Sequence, residues 1–220
     1  TTDLPDAIHN HQVDPFKPYC EEDGAMINFV DDGTNYVANE DPKSVTDALN
    51  INYRRIESWM HSNKLVINAD KTHYTVLAGR KAGRLRNEVK LQAGGYDIKQ
   101  SEHEKLLGAI VANDGKWNMM IRDHKNSIIK QINSRINAIK LLENGDKKTK
   151  LMVATAVVQS KLQYLMPLWG GAPDYLLHAL QVQQLKAARL VWGYKSYYWS
   201  TEKLLSKCNW LSIKQQVFYS

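Results

Sequence analysis

The chain has 220 residues, of which 43% are hydrophobic and 24% are charged, and its formal net charge is +6. This composition is typical of a globular protein and excludes an intrinsically disordered chain, and no apolar run approaches the roughly 18 residues of a membrane span. Cys20 and Cys208 lie at opposite ends, which excludes a disulfide framework and a paired-cysteine zinc module. No signal-peptide pattern is found, so a nuclear or cytoplasmic protein that is not secreted is expected.

The charge is divided unevenly along the chain. Residues 1–49 contain eleven Asp and Glu and two Lys and Arg, a net charge of −9. Residues 50–220 contain twelve Asp and Glu and twenty-seven Lys and Arg, a net charge of +15. A strongly basic body favours binding to a polyanion such as nucleic acid, with the carboxylates held apart for another purpose. A solvated basic surface beside an acidic tail explains the same charges, and both interpretations stand at this point.

Residue periodicity predicts an α+β region followed by an all-helical region, with a boundary near residue 115. Residues 1–24 show no periodicity. The elements predicted before the boundary are a hairpin of 26–30 and 35–38 around an Asp-Gly turn, a helix from Asp41-Pro42 to about His61, short strands at 65–67 and 74–78, a hairpin of 89–91 and 96–98, and a strand at 106–111. The helices predicted after it are 121–139, 151–165, 177–191, 201–207 and 213–219.

Two adjacent carboxylates, Asp31 and Asp32, are expected at the tip of the first hairpin. Adjacent carboxylates on a tight turn place several hard oxygen ligands close together, and such ligands suit Mg²⁺ or Mn²⁺. Two like charges at this distance repel each other unless a cation neutralises them. Asp-Asp-Gly is also a good turn sequence in its own right, so the pair alone does not establish a metal site.

The aspartate pair belongs to the first of three motifs that follow one another along the chain. Phe29-Val30-Asp31-Asp32 resembles the aromatic-x-Asp-Asp motif of reverse transcriptases. Residues 64–72 resemble the next segment in the non-LTR retrotransposon (LINE-like) branch, a hydrophobic stretch followed by Asn and then Lys-Thr. Residues 104–108 resemble the following motif, a Leu-Gly turn that grips the primer end. The helical part, including 162–164 and 210–213, resembles the region after the palm, so the resemblance covers essentially the whole chain.

This resemblance implies a fold and roles for individual residues. The fold is the second half of a palm, made of antiparallel hairpins and a helix over residues 1–115, and an all-α thumb bundle over residues 116–220. Asp31 and Asp32 would bind Mg²⁺, and Lys71 would lie near the nucleotide phosphates and could donate a proton to the leaving pyrophosphate. Leu107-Gly108 would let the primer backbone approach closely. The basic residues expected to contact the RNA template and the RNA–DNA hybrid are Arg80, Lys81, Arg84, Arg86, Lys105, Lys125 and Lys130.

The chain departs from the family in what precedes these motifs. A two-metal polymerase needs a further carboxylate on a palm strand well before the Asp-Asp hairpin, and it also needs the fingers. Neither is found in the 220 residues, and the first residue, Thr1, leaves open that the chain is part of a longer protein. We therefore expect a fragment of an RNA-directed DNA polymerase that is inactive alone. The alternatives are a non-catalytic module that binds RNA or RNA–DNA hybrid, and an interaction protein that self-associates or takes an upstream palm and fingers segment in trans.

Aromatic residues are frequent in the helical part. Trp169 and Trp192 are surrounded by apolar residues, which favours packing over stacking on bases. Tyr194, Tyr197 and Tyr198 lie beside Lys195, and this combination fits either stacking on nucleotides or packing in a core or interface. The sequence leaves these two uses of the tyrosines open.

Overall fold

The computed structural model describes residues 25–29, 32–78, 85–93, 96–142 and 144–220, and it shows the mixed α+β protein that periodicity predicts. The chain divides into two compact units. The first contains the described residues up to Glu104 together with Asn113–Gly115, and the second contains Lys105–Ala112 and Lys116–Ser220. The short strands belong mainly to the first unit and most helices to the second. The interpretation of these units as a half palm over 1–115 and a thumb over 116–220 stays a prediction.

The first unit begins with the predicted hairpin. Strands β1 (Ala25–Phe29) and β2 (Asp32–Tyr36) pair antiparallel, with Phe29 opposite Asp32 at the closed end. The prediction of a turn over 31–34 is wrong in its register, because Asp32 and Gly33 are paired within β2. Gly33 lies opposite Asn28 and Asp32 opposite Phe29, so the Asp-Gly pair is part of the strand and not of the turn.

Helix α1 (Pro42–Ser62) confirms the helix predicted from the Asp41-Pro42 pair. The Asp41 carboxylate caps the helix by accepting from the backbone N–H groups of Lys43 and Ser44, at 3.4 and 2.9 Å. A bond from the Ser44 hydroxyl, followed by these two backbone bonds, lowers the pKa of Asp41. Proline follows at the first helical position, where no N–H is needed. The start of α1 is therefore set by its own sequence.

The other strands of the first unit are short. They are β3 (His73–Tyr74), β4 (Gln92–Ala93), β5 (Tyr96–Asp97) and β6 (Lys99–Gln100); β3 pairs with β6 in parallel and β4 with β5 antiparallel. Tyr53 of α1 packs with Leu91 and Ile98 in a small core. The strand predicted at 65–67 is absent, and Val66 is 92% exposed. Three consecutive apolar residues favour a strand only when a partner covers them.

A second correction concerns residues 106–111, predicted as one strand. The structure contains two strands here, β7 (His103–Leu106) and β8 (Ala109–Ala112), which pair as a hairpin. The chain turns at Leu107 and Gly108, whose φ angles are 47° and 86°. Positive φ at both central residues is typical of the type I′ turn, one of the two common two-residue hairpin connections. The apolar run therefore reverses direction at its glycine.

The second unit is helical, as predicted. Its α-helices are α2 (Ile128–Lys140), α3 (Lys147–Ala154), α4 (Ser160–Gln163), α5 (Met166–Trp169), α6 (Asp174–Trp192), α7 (Thr201–Cys208) and α8 (Ile213–Tyr219). Segments Met119–Asp123 and Thr155–Gln159 are π-helical, and the latter joins α3 to α4. The predicted helix over 121–139 is interrupted before α2, where the Ser127 hydroxyl donates to the Arg122 carbonyl at 2.9 Å.

One continuous apolar core holds the helices of the second unit together. Its fully buried side chains come from every long helix of the unit and include Ile132, Leu162, Trp169, Leu180 and Leu204. Trp169 is in this core, as predicted. Among the described helices, none is both long enough and apolar enough to cross a membrane.

Candidate nucleic-acid interface

The predicted magnesium site falls only partly within the described residues. Asp32 is exposed at the start of β2, and Asp31 lies outside the described residues. No group of three or more His, Cys, Asp and Glu that could hold a metal ion occurs in the described part of the chain. Mg²⁺ needs more oxygen ligands than Asp32 alone supplies. The described residues thus do not make up the site, and binding of Mg²⁺ by Asp31 and Asp32 stays a prediction.

Lys71 lies in the first unit, whereas most of the predicted basic loop lies outside the described residues. Lys71 is exposed at the end of a 3₁₀ turn, Ala69–Lys71, whose last N–H donates to the Asn68 carbonyl at 3.1 Å. Arg80, Lys81 and Arg84 lie outside the described residues.

Arg86 follows the basic loop and is half-buried. Its Nη2 donates to the carbonyls of Ala78 and Asn113 at 2.8 and 2.9 Å. Through these two bonds, Arg86 links the backbone at Ala78 to the backbone at Asn113 within the first unit. Contact with nucleic acid by Lys71 and by these arginines and lysines stays a prediction.

The Leu107–Gly108 turn is fixed by a tyrosine from a distant part of the second unit. The hydroxyl of Tyr164 donates to the Leu107 carbonyl at 2.5 Å. A Cβ placed on Gly108 would lie 3.1 Å from Cε1 of the same tyrosine ring. Glycine is therefore required here twice, by its positive φ and by the close ring. Gly108 thus presents backbone without a side chain, between the partly exposed side chains of Leu107 and Tyr164.

A lysine ammonium lies over this tyrosine ring, and the charges of two further cations act on that lysine. The Lys161 ammonium lies 5.1 Å from the centre of the Tyr164 ring, one helical turn before it. Lys161 is buried, and burial lowers its pKa; the positive charges of Arg135 and Lys105 lower the same pKa further. Arg135 is positioned by a bond from its Nη1 to the Val157 carbonyl at 2.6 Å. We call Lys105, Arg135, Lys161, Tyr164 and the Leu107–Gly108 turn the turn cluster.

The turn cluster carries positive charge that is not neutralised locally. Within the described part of the chain, none of Lys105, Arg135 and Lys161 forms an ion pair with a carboxylate. Like charges close together in a partly dehydrated site are mutually destabilising, and an anion bound there relieves the repulsion. Lys105 is exposed and can contact such an anion directly. Lys161 is buried and Arg135 is partly buried, so these two cations add to the positive potential without being fully open to solvent. The arrangement suits a backbone phosphate.

The two predicted lysines of the helical unit lie elsewhere in it. Lys125 and Lys130 are both exposed, and the Lys130 ammonium donates to the Asp123 carbonyl at 3.2 Å. Lys125 precedes helix α2, after the π-helical segment Met119–Asp123, and Lys130 lies in the first turn of α2. Of the predicted site residues, only Lys105, Leu107 and Gly108 therefore belong to the turn cluster.

Sequence reasoning did not find Lys161, Arg135 and Tyr164 as site residues. Tyr164 was noted only as part of a family resemblance, and Arg135 lies in a helix whose isoleucines dominate its pattern. The i, i+3 spacing of Lys161 and Tyr164 was the one local signal available, since residues at this spacing share a helix face. Lys161 and Tyr164 are more than fifty positions away from residues 105–108 in the sequence. No local sequence pattern therefore predicts that they lie near this turn.

Replacing Gly108 with alanine is expected to destabilise the second unit by about 2 kcal/mol, since the left-handed backbone costs a non-glycine residue about 1 kcal/mol and the tyrosine ring must also move. The control is Gly108→Ala made in a Tyr164→Ala background, where the backbone conformation at residue 108 is the same and the ring is absent. Urea unfolding followed by circular dichroism measures the loss caused by Gly108→Ala in both backgrounds. Equal losses in the two backgrounds would contradict the close contact with Tyr164.

Comparison with protein-family models, curated proteins and solved structures finds no match to this chain.

Proposed function

We propose that the chain is the part of a non-LTR retrotransposon reverse transcriptase that holds the RNA–DNA hybrid at the primer end. The observation that supports the proposal is the turn cluster. Leu107 and Gly108 form a tight turn that Tyr164 fixes, and Lys161 lies over the Tyr164 ring. The charges of Arg135 and Lys105 act on Lys161, and none of these three cations has a carboxylate partner in the described residues. Phosphate contacts of this kind position a nucleic acid without reading its sequence.

The wider charge of the helical unit agrees with this function. Residues 105–112 and 116–220 hold seventeen Lys and Arg and five Asp and Glu, a net charge of +12. A nucleic acid that binds such a surface releases condensed counterions, and this release is the main source of sequence-independent affinity. The turn cluster would fix the primer backbone, and the surrounding lysines would supply the long-range attraction.

In the polymerase that we propose, Asp31 and Asp32 are ligands of the catalytic Mg²⁺, and Lys71 lies near the nucleotide phosphates. Mg²⁺, when bound, would stabilise the charge that develops on the transferred phosphoryl group. The 220-residue polypeptide alone is expected to bind hybrid without extending the primer, because its motifs do not include a third carboxylate. Template-dependent synthesis by this polypeptide with Mg²⁺ and deoxynucleotides would contradict that expectation.

Hybrid binding is tested by fluorescence anisotropy with a labelled RNA–DNA duplex of about 20 base pairs that has a recessed DNA primer end. The affinity is expected to fall steeply with salt, with the slope of log K against log salt changing by about 0.9 for each phosphate contact. Lys105→Gln is expected to reduce that slope by about one contact. Lys214→Gln is the control, because Lys214 is exposed and already paired with Asp174 at 2.9 Å. No binding by the native chain at about 50 mM salt would refute the proposal.

An interaction protein is a second candidate, favoured by one observation. The β1–β2 hairpin is a two-stranded sheet among the described residues, and Ile27 on it is more than half exposed. An isolated two-stranded hairpin is marginal, and its open edges can pair with another chain. Light scattering at two protein concentrations tests this candidate. A strictly monomeric and folded chain would count against it, whereas concentration-dependent dimers would support it.

A further inference from the structure

A cluster of aromatic side chains is exposed at the end of helix α6. Tyr194, Tyr197 and Tyr198 are 75%, 63% and 77% exposed, so these rings do not pack in a core. They lie on a single 3₁₀ helix, Tyr194–Tyr198, which continues into the half-buried Trp199. Three large exposed rings within five residues form a patch that is unusual for a free surface. We call these three tyrosines the tyrosine patch.

The backbone beneath the tyrosine patch is firmly anchored. Helix α6 ends at Gly193, whose φ of 76° turns the chain out of the helix. Ser196, in the middle of the patch, is fully buried, and its hydroxyl donates to the Gly193 carbonyl at 2.6 Å. The N–H of Trp199 then donates to the Ser196 carbonyl at 3.2 Å. The exposed rings are thus held on a rigid turn, which lowers the entropy lost when a ligand binds them.

The three rings leave faces open to solvent. Tyr194 meets Tyr197 at an interplanar angle of 41° with centroids 6.3 Å apart, and it meets Tyr198 at 78° with centroids 5.8 Å apart. The hydroxyls of Tyr194 and Tyr198 are 3.0 Å apart, which fixes this pair. Because none of these rings is stacked parallel on another, planar groups can still stack on them.

Positive charges border the tyrosine patch. The Arg189 guanidinium lies 5.6 Å from the Tyr197 ring centre, and the Lys203 ammonium lies 5.5 Å from that of Trp199. Lys195 is exposed between Tyr194 and Tyr197. An aromatic platform with cations at its edge combines the two interactions that hold an unpaired nucleic-acid strand, which are stacking of bases and neutralisation of phosphates.

We propose that the tyrosine patch binds single-stranded nucleic acid, with bases stacked on its rings and phosphates near Arg189, Lys195 and Lys203. The inference rests on the proposed function only in that the ligand is a nucleic acid; it uses none of the residues of the turn cluster. The charges favour a polyanion over an apolar protein partner, since Arg189 lies next to the Tyr197 ring, Lys195 lies within the same segment and Lys203 lies next to the following residue, Trp199. Stacking is tolerant of sequence, so the site selects unpaired strands over duplexes and does not select bases.

The test uses the full chain and three labelled probes: a dT strand and a rU strand of about 20 nucleotides, and a blunt RNA–DNA hybrid of the same length. The triple variant Y194A/Y197A/Y198A is expected to bind the single strands at least tenfold more weakly, as alanine substitution of a stacking ring costs about tenfold per base. Its slope of log K against log salt should stay unchanged, because no phosphate contact is removed. Its binding of the blunt hybrid should change by less than about twofold.

Two matched variants separate stacking from general damage. Y194F/Y197F/Y198F keeps the rings and removes the hydroxyls, so it is expected to bind single strands within about threefold of the native chain. F218A/Y219A removes an equally exposed aromatic pair, with ring centroids 5.3 Å apart, and should have no effect. A preference between the dT and rU strands shows whether DNA or RNA is the bound strand.

The outcomes distinguish this proposal from the proposed function. Loss of single-strand binding with hybrid binding retained supports the tyrosine patch. Hybrid binding by the native chain without single-strand binding, or equal binding of single strands by the triple alanine variant, overturns the patch and leaves the proposed function intact. Absence of binding to all three probes overturns the patch, and absence of binding to the duplex with a recessed primer end as well overturns both proposals. A native oligomer that dissociates in the triple variant, with single-strand affinity unchanged, identifies a protein interface and overturns the proposal.

Discussion

Replacing Trp169 with alanine is expected to lower the free energy of unfolding of the second unit by about 3–5 kcal/mol. The Trp169 side chain is fully buried in the apolar core, and its indole Nε1 donates to the Tyr164 carbonyl at 3.1 Å. Alanine leaves a cavity that surrounding helices cannot fully close, and it leaves that carbonyl without its donor. Because Tyr164 also holds the Leu107–Gly108 turn, hybrid binding should weaken together with stability.

Urea unfolding followed by circular dichroism at 222 nm measures the loss. Leu168→Ala is the control, since Leu168 is next to Trp169 on the same helix but is 45% exposed, and it should cost less than about 1 kcal/mol. If Trp169→Ala does not fold, Trp169→Phe keeps the prediction testable, with an expected loss of about 1–2 kcal/mol. A Trp169→Phe variant as stable as the native chain would contradict the buried position.

Replacing Lys161 with methionine is expected to weaken hybrid binding by about tenfold, or about 1.4 kcal/mol, while raising stability at neutral pH. Methionine has a similar length, so it fills the same space without a charge. Lys161 lies buried beside the Tyr164 ring, with the charges of Arg135 and Lys105 near it, so its cation is unfavourable until an anion binds. Lys161→Glu should weaken binding further, by about a hundredfold, because it would neutralise the neighbouring cations in place of the phosphate.

The stability gained by Lys161→Met is expected to depend on pH in a definite direction. The lowered pKa of Lys161 means that the unfolded chain binds the proton more tightly than the folded chain does. Native stability therefore rises as the pH rises through that lowered pKa towards the ordinary pKa of lysine. The advantage of Lys161→Met should be largest at neutral pH and should shrink as the pH rises through this range. Thermal melts at several pH values measure it, and an advantage that grows with pH would contradict the buried charge.

Local sequence predicted the long helices well. Asp41 followed by Pro42 specifies the start of α1 by a cap and a fixed φ, and both act within four residues. Ser212 and Gln215 form a reciprocal capping box at the start of α8, which lies where periodicity predicts a helix. Helices are held by bonds between close neighbours, so their signals are readable along the chain.

Strands were predicted less well, for a physical reason. Residues 65–67 have strand composition, but a strand exists only if another strand pairs with it. Residues 106–111 read as one continuous apolar strand, yet positive φ at Leu107 and Gly108 divides them into a hairpin. In both places the outcome depended on pairing partners that a local pattern does not contain.

By itself, the sequence determined the α+β organisation, the helical character of residues 116–220 and the excess of positive charge, because composition and periodicity act locally. Only the tertiary structure decided how that charge is used. It placed Tyr164 against the Leu107 carbonyl, brought the charges of Arg135 and Lys105 near Lys161, and left the rings of the tyrosine patch exposed. The first two relations join residues far apart in the chain, and the third depends on what packs against the rings, so all three follow from tertiary packing.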